Sequence, residues 1–224
     1  IDQPMFPRGG STVSLSTSLT PPWSLFTEID VEANPEDRFR LIEYHKWMFD
    51  AKHYVKLFPS LDFVVEAKAH FGFIGSYNNE IGIGPFERFI VGGSGLAGQN
   101  FLLGTEIVAL RGYDDRSITF RDPSTQIEGG IVYNKFGIEL RYPVSLNPSA
   151  TIYVLGFLEG GNNWNNYEDF NPFNLYRSAG VGARIFMPAF GLLGIDWGYG
   201  FDDVPGLPSA SGGQFHFSIG QQIR

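Results

Sequence analysis

The chain has 224 residues, no cysteine, 28 glycines, 16% aromatic residues, 18% charged residues and a formal charge of −8. That length suits one or two domains, the missing cysteines exclude disulfides and thiolate metal sites, and an acidic balance without a basic stripe argues against nucleic acid. No run of about 18 apolar residues exists to make a membrane-spanning helix, but alternating strands need none, because their lipid-facing and lumen-facing side chains average out.

The chain opens at Ile1-Asp2-Gln3-Pro4, with no starting methionine and no signal peptide, so it is expected to be a portion of a longer or processed chain. Residues 11–20 then place Val13, Leu15, Thr17 and Leu19 on one face and mainly serines on the other, the period of a strand. Residues 41–57 set Trp47, Phe49, Ala51, Val55 and Leu57 against Lys46, Asp50, Lys52 and Lys56. In 63–73, Phe63, Val65, Ala67, Ala69, Phe71 and Phe73 alternate with Glu66, Lys68, His70 and Gly72. Residues 132–144 oppose Phe136, Ile138, Leu140, Tyr142 and Val144 to Lys135, Glu139 and Arg141. Further strands are predicted at 150–161, 175–187, 191–200 and 213–223, which makes eight. The last alternates Phe215, Phe217 and Ile219 with His216, Ser218 and Gly220, and runs on to Ile223.

Short turns at 6–10, 58–60, 146–148 and 188–191 alternate with long connections at 21–39, 76–128, 162–173 and 201–212. Transmembrane barrels show this asymmetry, with short periplasmic turns and longer extracellular loops. A soluble β-sandwich also alternates, but it hides its apolar face, and here nearly every strand pairs a charged face with an aromatic one. The reading is an all-β, antiparallel transmembrane barrel.

The longest connection contains Leu110-Arg111-Gly112-Tyr113, preceded by Phe89-Ile90-Val91-Gly92-Gly93-Ser94. After it come Gly137-Ile138-Glu139-Leu140-Arg141-Tyr142-Pro143 and Phe157-Leu158-Glu159-Gly160-Gly161-Asn162-Asn163-Trp164. Together these resemble the C-terminal half of the barrel of the BamA-type insertase superfamily, whose Val/Leu-Arg-Gly-aromatic motif tips a long extracellular loop folded back into the lumen. The spacing from the Gly-Gly-Ser lead-in to Arg111 is longer than in the family, so an insertion is assumed between them. Glu159 also stands where the family carries an aspartate.

The resemblance implies half of a sixteen-stranded barrel, with Arg111 bonded to Glu139 and Glu159. The chemistry agrees, since a guanidinium taken into a narrow lumen needs carboxylates, preferably in bidentate geometry. It further implies an assembly factor that folds and inserts other outer-membrane barrels through a lateral gate at the last strand, carried by Phe215, Phe217, Ile219, Gly220 and Ile223. Ile223 stands where an aromatic residue is typical, and Arg224 is added. The implied setting is a Gram-negative outer membrane, with its lipids and lipopolysaccharide, unfolded barrel clients and accessory lipoproteins as partners. No enzymatic step and no cofactor or metal is implied. A sister translocating barrel and a self-contained eight-stranded barrel with an adhesive or structural role remain the alternatives.

Other features have plainer readings. Glu66, Lys68 and His70 share one strand face and suit a solvated barrel interior. His45, His53, His70 and His216 lack zinc-site spacing. Gly92-Gly93-Ser94-Gly95 lacks the lysine-serine pair of a phosphate loop. Glu32, Glu36 and Asp37 lack the alternating ligand ladder of a calcium loop, and Asp114-Asp115 suits a solvated loop. Trp23, Trp47, Trp164 and Trp197 fit aromatic girdles, and Arg184 and Asp196 are placed to pair across neighbouring strands.

Overall fold

A computed structural model describes residues 1–30, 32, 34–95, 105–122, 127–147, 149–188 and 191–219, without the side chains of Pro35 and Glu36. The strands are β1 (Gly9–Leu19), β2 (His45–Phe58), β3 (Leu61–Gly75), β4 (Phe89–Val91), β5 (Glu106–Val108), β6 (Val132–Asn147), β7 (Ala150–Trp164), β8 (Tyr176–Met187), β9 (Gly191–Gly200) and β10 (Gly213–Ile219). A 3-10 turn (Trp23–Leu25) and a single α-helical turn, α1 (Pro35–Arg38), lie in the first long connection.

Eight of these strands form one antiparallel sheet in the order β1-β2-β3-β6-β7-β8-β9-β10. The alternating segments of the sequence thus become its strands, with ends shifted by a few residues. β1 starts at Gly9 rather than 11, β3 extends to 61–75, and β6 and β7 run on to 147 and 164. β2 begins only at His45, because Glu43 turns back to accept hydrogen bonds from the Ser24 amide and hydroxyl at 2.8 and 2.9 Å. Of the last strand, 213–219 is described; Gly220 and Ile223 lie outside the described residues. Among the described residues β1 and β10 each have one sheet neighbour, so the sheet is an open arc rather than a closed barrel.

Burial along the strands is the reverse of that in a soluble sandwich. Lys135 is 0% and Glu139 1% exposed, while Ile138 between their neighbours is 52% and Phe217 59% exposed. Charged residues line the concave side and apolar ones the convex side, as expected where lipid is the outer solvent. A lysine or arginine moved to the lipid face at mid-membrane would cost about 2–4 kcal/mol, and a one-residue register slip would move a whole strand's set. Parity therefore fixes the register.

The apolar core lies on the concave side. β4 and β5 form a parallel pair within the longest connection, an element that its irregular, glycine-rich sequence did not predict. Phe89, Val91, Val108, Leu110 and Ile118 of that connection pack with Ile74 and Tyr133 of the wall. The Phe89-Ile90-Val91-Gly92-Gly93 lead-in becomes β4 and its extension. The Gly92 amide donates to the Val108 carbonyl and the Leu110 amide to the Gly93 carbonyl, both at 3.0 Å. Residues 96–104, part of the stretch in which an insertion is assumed, lie outside the described residues. At the short-turn end, Phe6 fills the concave face against Tyr54, Val64, Tyr153 and Leu155.

Candidate functional site

The paired β4 and β5 carry the loop down to Arg111, which has no exposed surface. Three strands of the wall supply its partners. Its Nη2 donates to Glu139 of β6 at 2.7 Å and to Glu159 of β7 at 2.5 Å. Its Nη1 donates to Asp196 of β9 at 3.2 Å. The guanidinium carbon stands 3.6 Å from the centre of the Phe157 ring. The Arg111 amide also donates to Glu159 Oε2 at 3.3 Å. Burying a guanidinium without such partners would be prohibitive, and each charged hydrogen bond here is made away from bulk solvent.

The carboxylates are shared with other cations of the wall. Lys68 Nζ lies 2.9 Å from Glu139 and 3.5 Å from Glu66. Arg141 donates to Glu139 at 2.6 Å and also bonds to Glu66. Lys135 sits 3.3 Å from Glu159, and Arg184 2.9 Å from Asp196. Arg184 and Asp196 thus meet as their parity suggested. Asp196, however, also serves Arg111, which the sequence reading did not foresee. The Glu66-Lys68-His70 face is built into this network, with His70 bonded to Asp50.

Gly112 is in the left-handed region at φ +86°, and a Cβ there would lie 2.7 Å from the Gly200 amide nitrogen. Backbone meets backbone at this point because Gly198 and Gly200 present no side chain to the concave face; a Cβ on Gly198 would sit 2.8 Å from the Gly112 nitrogen. The Gly112 amide donates to His216 Nε2 of β10 at 2.9 Å. That contact requires Nε2 to act as acceptor, so the ring carries its proton on Nδ1. Tyr113 closes the tip. Its hydroxyl donates to the Arg177 carbonyl at 2.7 Å and accepts from the Asp202 amide at 3.2 Å. Burial pushes the phenol up to about 12. The Arg177 side chain, donating to Asp202 at 2.7 Å, holds that carboxyl below its usual range.

Of the residues singled out in the sequence, the structure brings Arg111, Gly112, Tyr113, Glu139 and Glu159 into one cluster. Phe215, Phe217 and Ile219 lie apart from it, on the convex face of β10. Sequence reasoning missed Phe157, Asp196 as an Arg111 partner, His216 and the bare Gly198–Gly200 strip. Their strand parity was visible: each shares a face with a recognised lumen residue. What parity omits is which loop rests on that face. Among the described residues no group of three His, Asp or Glu side chains could hold a metal ion, and the guanidinium already occupies the space between the three carboxylates.

Two of the three comparisons with known proteins return matches. The Omp85 superfamily domain matches residues 1–223. Among solved structures, the fold is similar to the crystal structure of BamA from Haemophilus ducreyi lacking POTRA domains 1–3. The TM-score is 0.61 at 18% identity, covering 96% of this chain and 39% of that one. This chain therefore spans well under half the length of that relative. No curated protein matches.

Proposed function

The chain belongs to the Omp85 superfamily, and on that premise we propose that it is the C-terminal part of the barrel of an outer-membrane insertase. Such a protein folds and inserts other outer-membrane β-barrels. The observation that carries this reading is the state of β10. Among the described residues, it pairs with β9 on one side only. Its inner face is held by the loop tip through His216.

An open strand edge is a template. An incoming client strand hydrogen-bonds to it by β-augmentation, and its side chains alternate between lipid and lumen as those of β10 do. Open edges cannot stay bare in hydrocarbon, so the edge must be covered by a further strand of the full protein or by the client. The work is strand exchange, with no bond broken and no cofactor. The Arg111 cluster holds the loop as an internal strut across β6–β10 while that edge changes partners. Client barrels, accessory lipoproteins and the lipids of a Gram-negative outer membrane are the partners this reading assigns.

The test is depletion of the full-length protein in its host, followed by quantification of folded outer-membrane barrels through heat-modifiable mobility. The reading predicts that many unrelated barrels fall together. Unchanged barrel levels, with loss of one secreted protein, would replace it with the sister translocator.

A further inference from the structure

Beside the Arg111 cluster, toward the short turns, the concave face encloses a chamber of about 250 Å³. Met5, Pro7, Phe186 and Leu192 line it on the short-turn side, and charged side chains of the wall line the rest. Four of these are cations, Lys52, Lys68, Arg141 and Arg184, against two carboxylates, Glu66 and Glu139. Both carboxylates are already engaged. Lys68 and Arg141 each pair with the two of them, and Arg184 is answered by Asp196, which stands outside the lining. Lys52 is the cation left over.

Lys52 of β2 is half-buried between this chamber and a second cavity, of about 220 Å³, along the inner face of β1. Among the described residues its ammonium makes no hydrogen bond and no ion pair. Lys68 and Arg141 are close enough to repel it, and Glu66 and Asp50 close enough to attract it. Asp50 is itself bonded to His70 and lies 3.5 Å from the Ser14 hydroxyl.

Arg141 of β6 offers a second donor. Its Nε and Nη2 are taken up by Glu139 and Glu66, while Nη1 has no partner among the described residues. The fork is held in place between two rings, its central carbon 5.8 Å from the centre of Tyr54 and 5.5 Å from that of Tyr153. Tyr153 of β7 lines the same chamber, and its hydroxyl too has no partner among the described residues.

Three unused donors from three strands thus border one enclosed space, one of them a cation without a counter-charge. Leaving such a charge unpaired away from bulk solvent is costly, and an anion in the chamber removes that cost. A carboxylate is planar and has two oxygens. Donors arriving from β2, β6 and β7 suit an anion with oxygens on more sides, and ammonium and guanidinium groups are both strong phosphate binders. We infer that this chamber binds a tetrahedral oxyanion, inorganic phosphate, which bridges Lys52 and Arg141 and accepts a hydrogen bond from the Tyr153 hydroxyl. The ion ties β2 to β6 and β7 and balances the remaining positive charge with a solute instead of a side chain. The site is separate from the edge of β10 and does not rest on insertase activity.

The experiment uses the purified full-length protein in detergent micelles, with inorganic phosphate as probe and sodium chloride at matched ionic strength as reference. An acetylating reagent is applied briefly, and the labelling of each lysine is read by mass spectrometry. Millimolar phosphate is expected to slow labelling of Lys52 several-fold and to leave Lys56, which sits at a short turn, unchanged. Phosphate should also raise the temperature of the heat-modifiable transition. Lys52→Gln should cancel that rise while keeping normal folded mobility, and Tyr153→Phe should raise the half-protecting phosphate concentration a few-fold. Equal protection by chloride or by acetate would overturn a tetrahedral oxyanion site. Lys52 labelling that is slow in every buffer would show a carboxylate elsewhere in the full-length protein already paired with it, and would overturn the proposal. Fast labelling that phosphate leaves unchanged would overturn it as well. Protection at lower concentration by glycerol 3-phosphate than by phosphate would overturn the free ion as the occupant.

Discussion

The two edge strands of the sheet, β1 and β10, share the same alternation but have different inner faces. β1 presents Thr12, Ser14, Ser16 and Ser18 inward, all exposed, whereas β10 presents His216 and Ser218, which are 6% and 3% exposed. The difference comes from the loop tip, which lies against β6 through β10 and bonds to β10 directly. A strand pattern assigns a residue to a face. The loop that rests on that face decides whether its side chain becomes part of a packed site.

The sharpest way to break this asymmetry is Arg111→Ala. It removes the one cation shared by three strands and leaves the carboxylates around an empty site, at a cost to loop docking of about 3–5 kcal/mol. Amide hydrogen exchange over 105–121 in the full-length protein should rise strongly. Arg111→Lys should rescue only in part, because a point charge cannot reproduce the planar fork.

Next in size is Gly112→Ala. Strain in the left-handed region and overlap with the Gly200 backbone each contribute about 1–3 kcal/mol. The loop tip should lift from β9, seen as new protease cleavage near 111–113. His216→Phe acts through a single term, leaving the buried Gly112 amide without its acceptor at about 1–3 kcal/mol. Exchange of the Gly112 amide should quicken while β9 stays protected. Ser16→Ala on β1 is the matching control, and thermal stability should move by no more than about 0.5 kcal/mol.

Much of this was legible in the sequence. Val13 to Leu19, Phe63 to Phe73 and Phe136 to Val144 alternate so regularly that strands and faces follow from period, while the barrel class needed the alternating short and long connections and the charged faces set against aromatic ones. Arg111, Glu139 and Glu159 could be named together because their motifs are local and specific. The β4–β5 pair was not legible, since three-residue strands in a glycine-rich segment carry too few positions to show a period. Nor was the contact of Gly112 with His216, which are 104 positions apart. Such contacts depend on how deep the loop descends, and that depth is set by packing of Phe89, Val91 and Leu110 against the wall. The edge-on covering of Trp164 by Phe170, at 5.0 Å between ring centres, escaped for a similar reason: a loop that folds outward over a lipid face looks like any polar connection.

The central proposal is that β10, rather than β1, is the edge at which a client strand pairs. A photoreactive amino acid at Phe217 or at Val13 of the full-length protein, irradiated while a client barrel is arrested during assembly, tests it directly. The account predicts cross-links to client strands from Phe217 and none from Val13. Equal cross-linking from both positions, or none from Phe217, would contradict it.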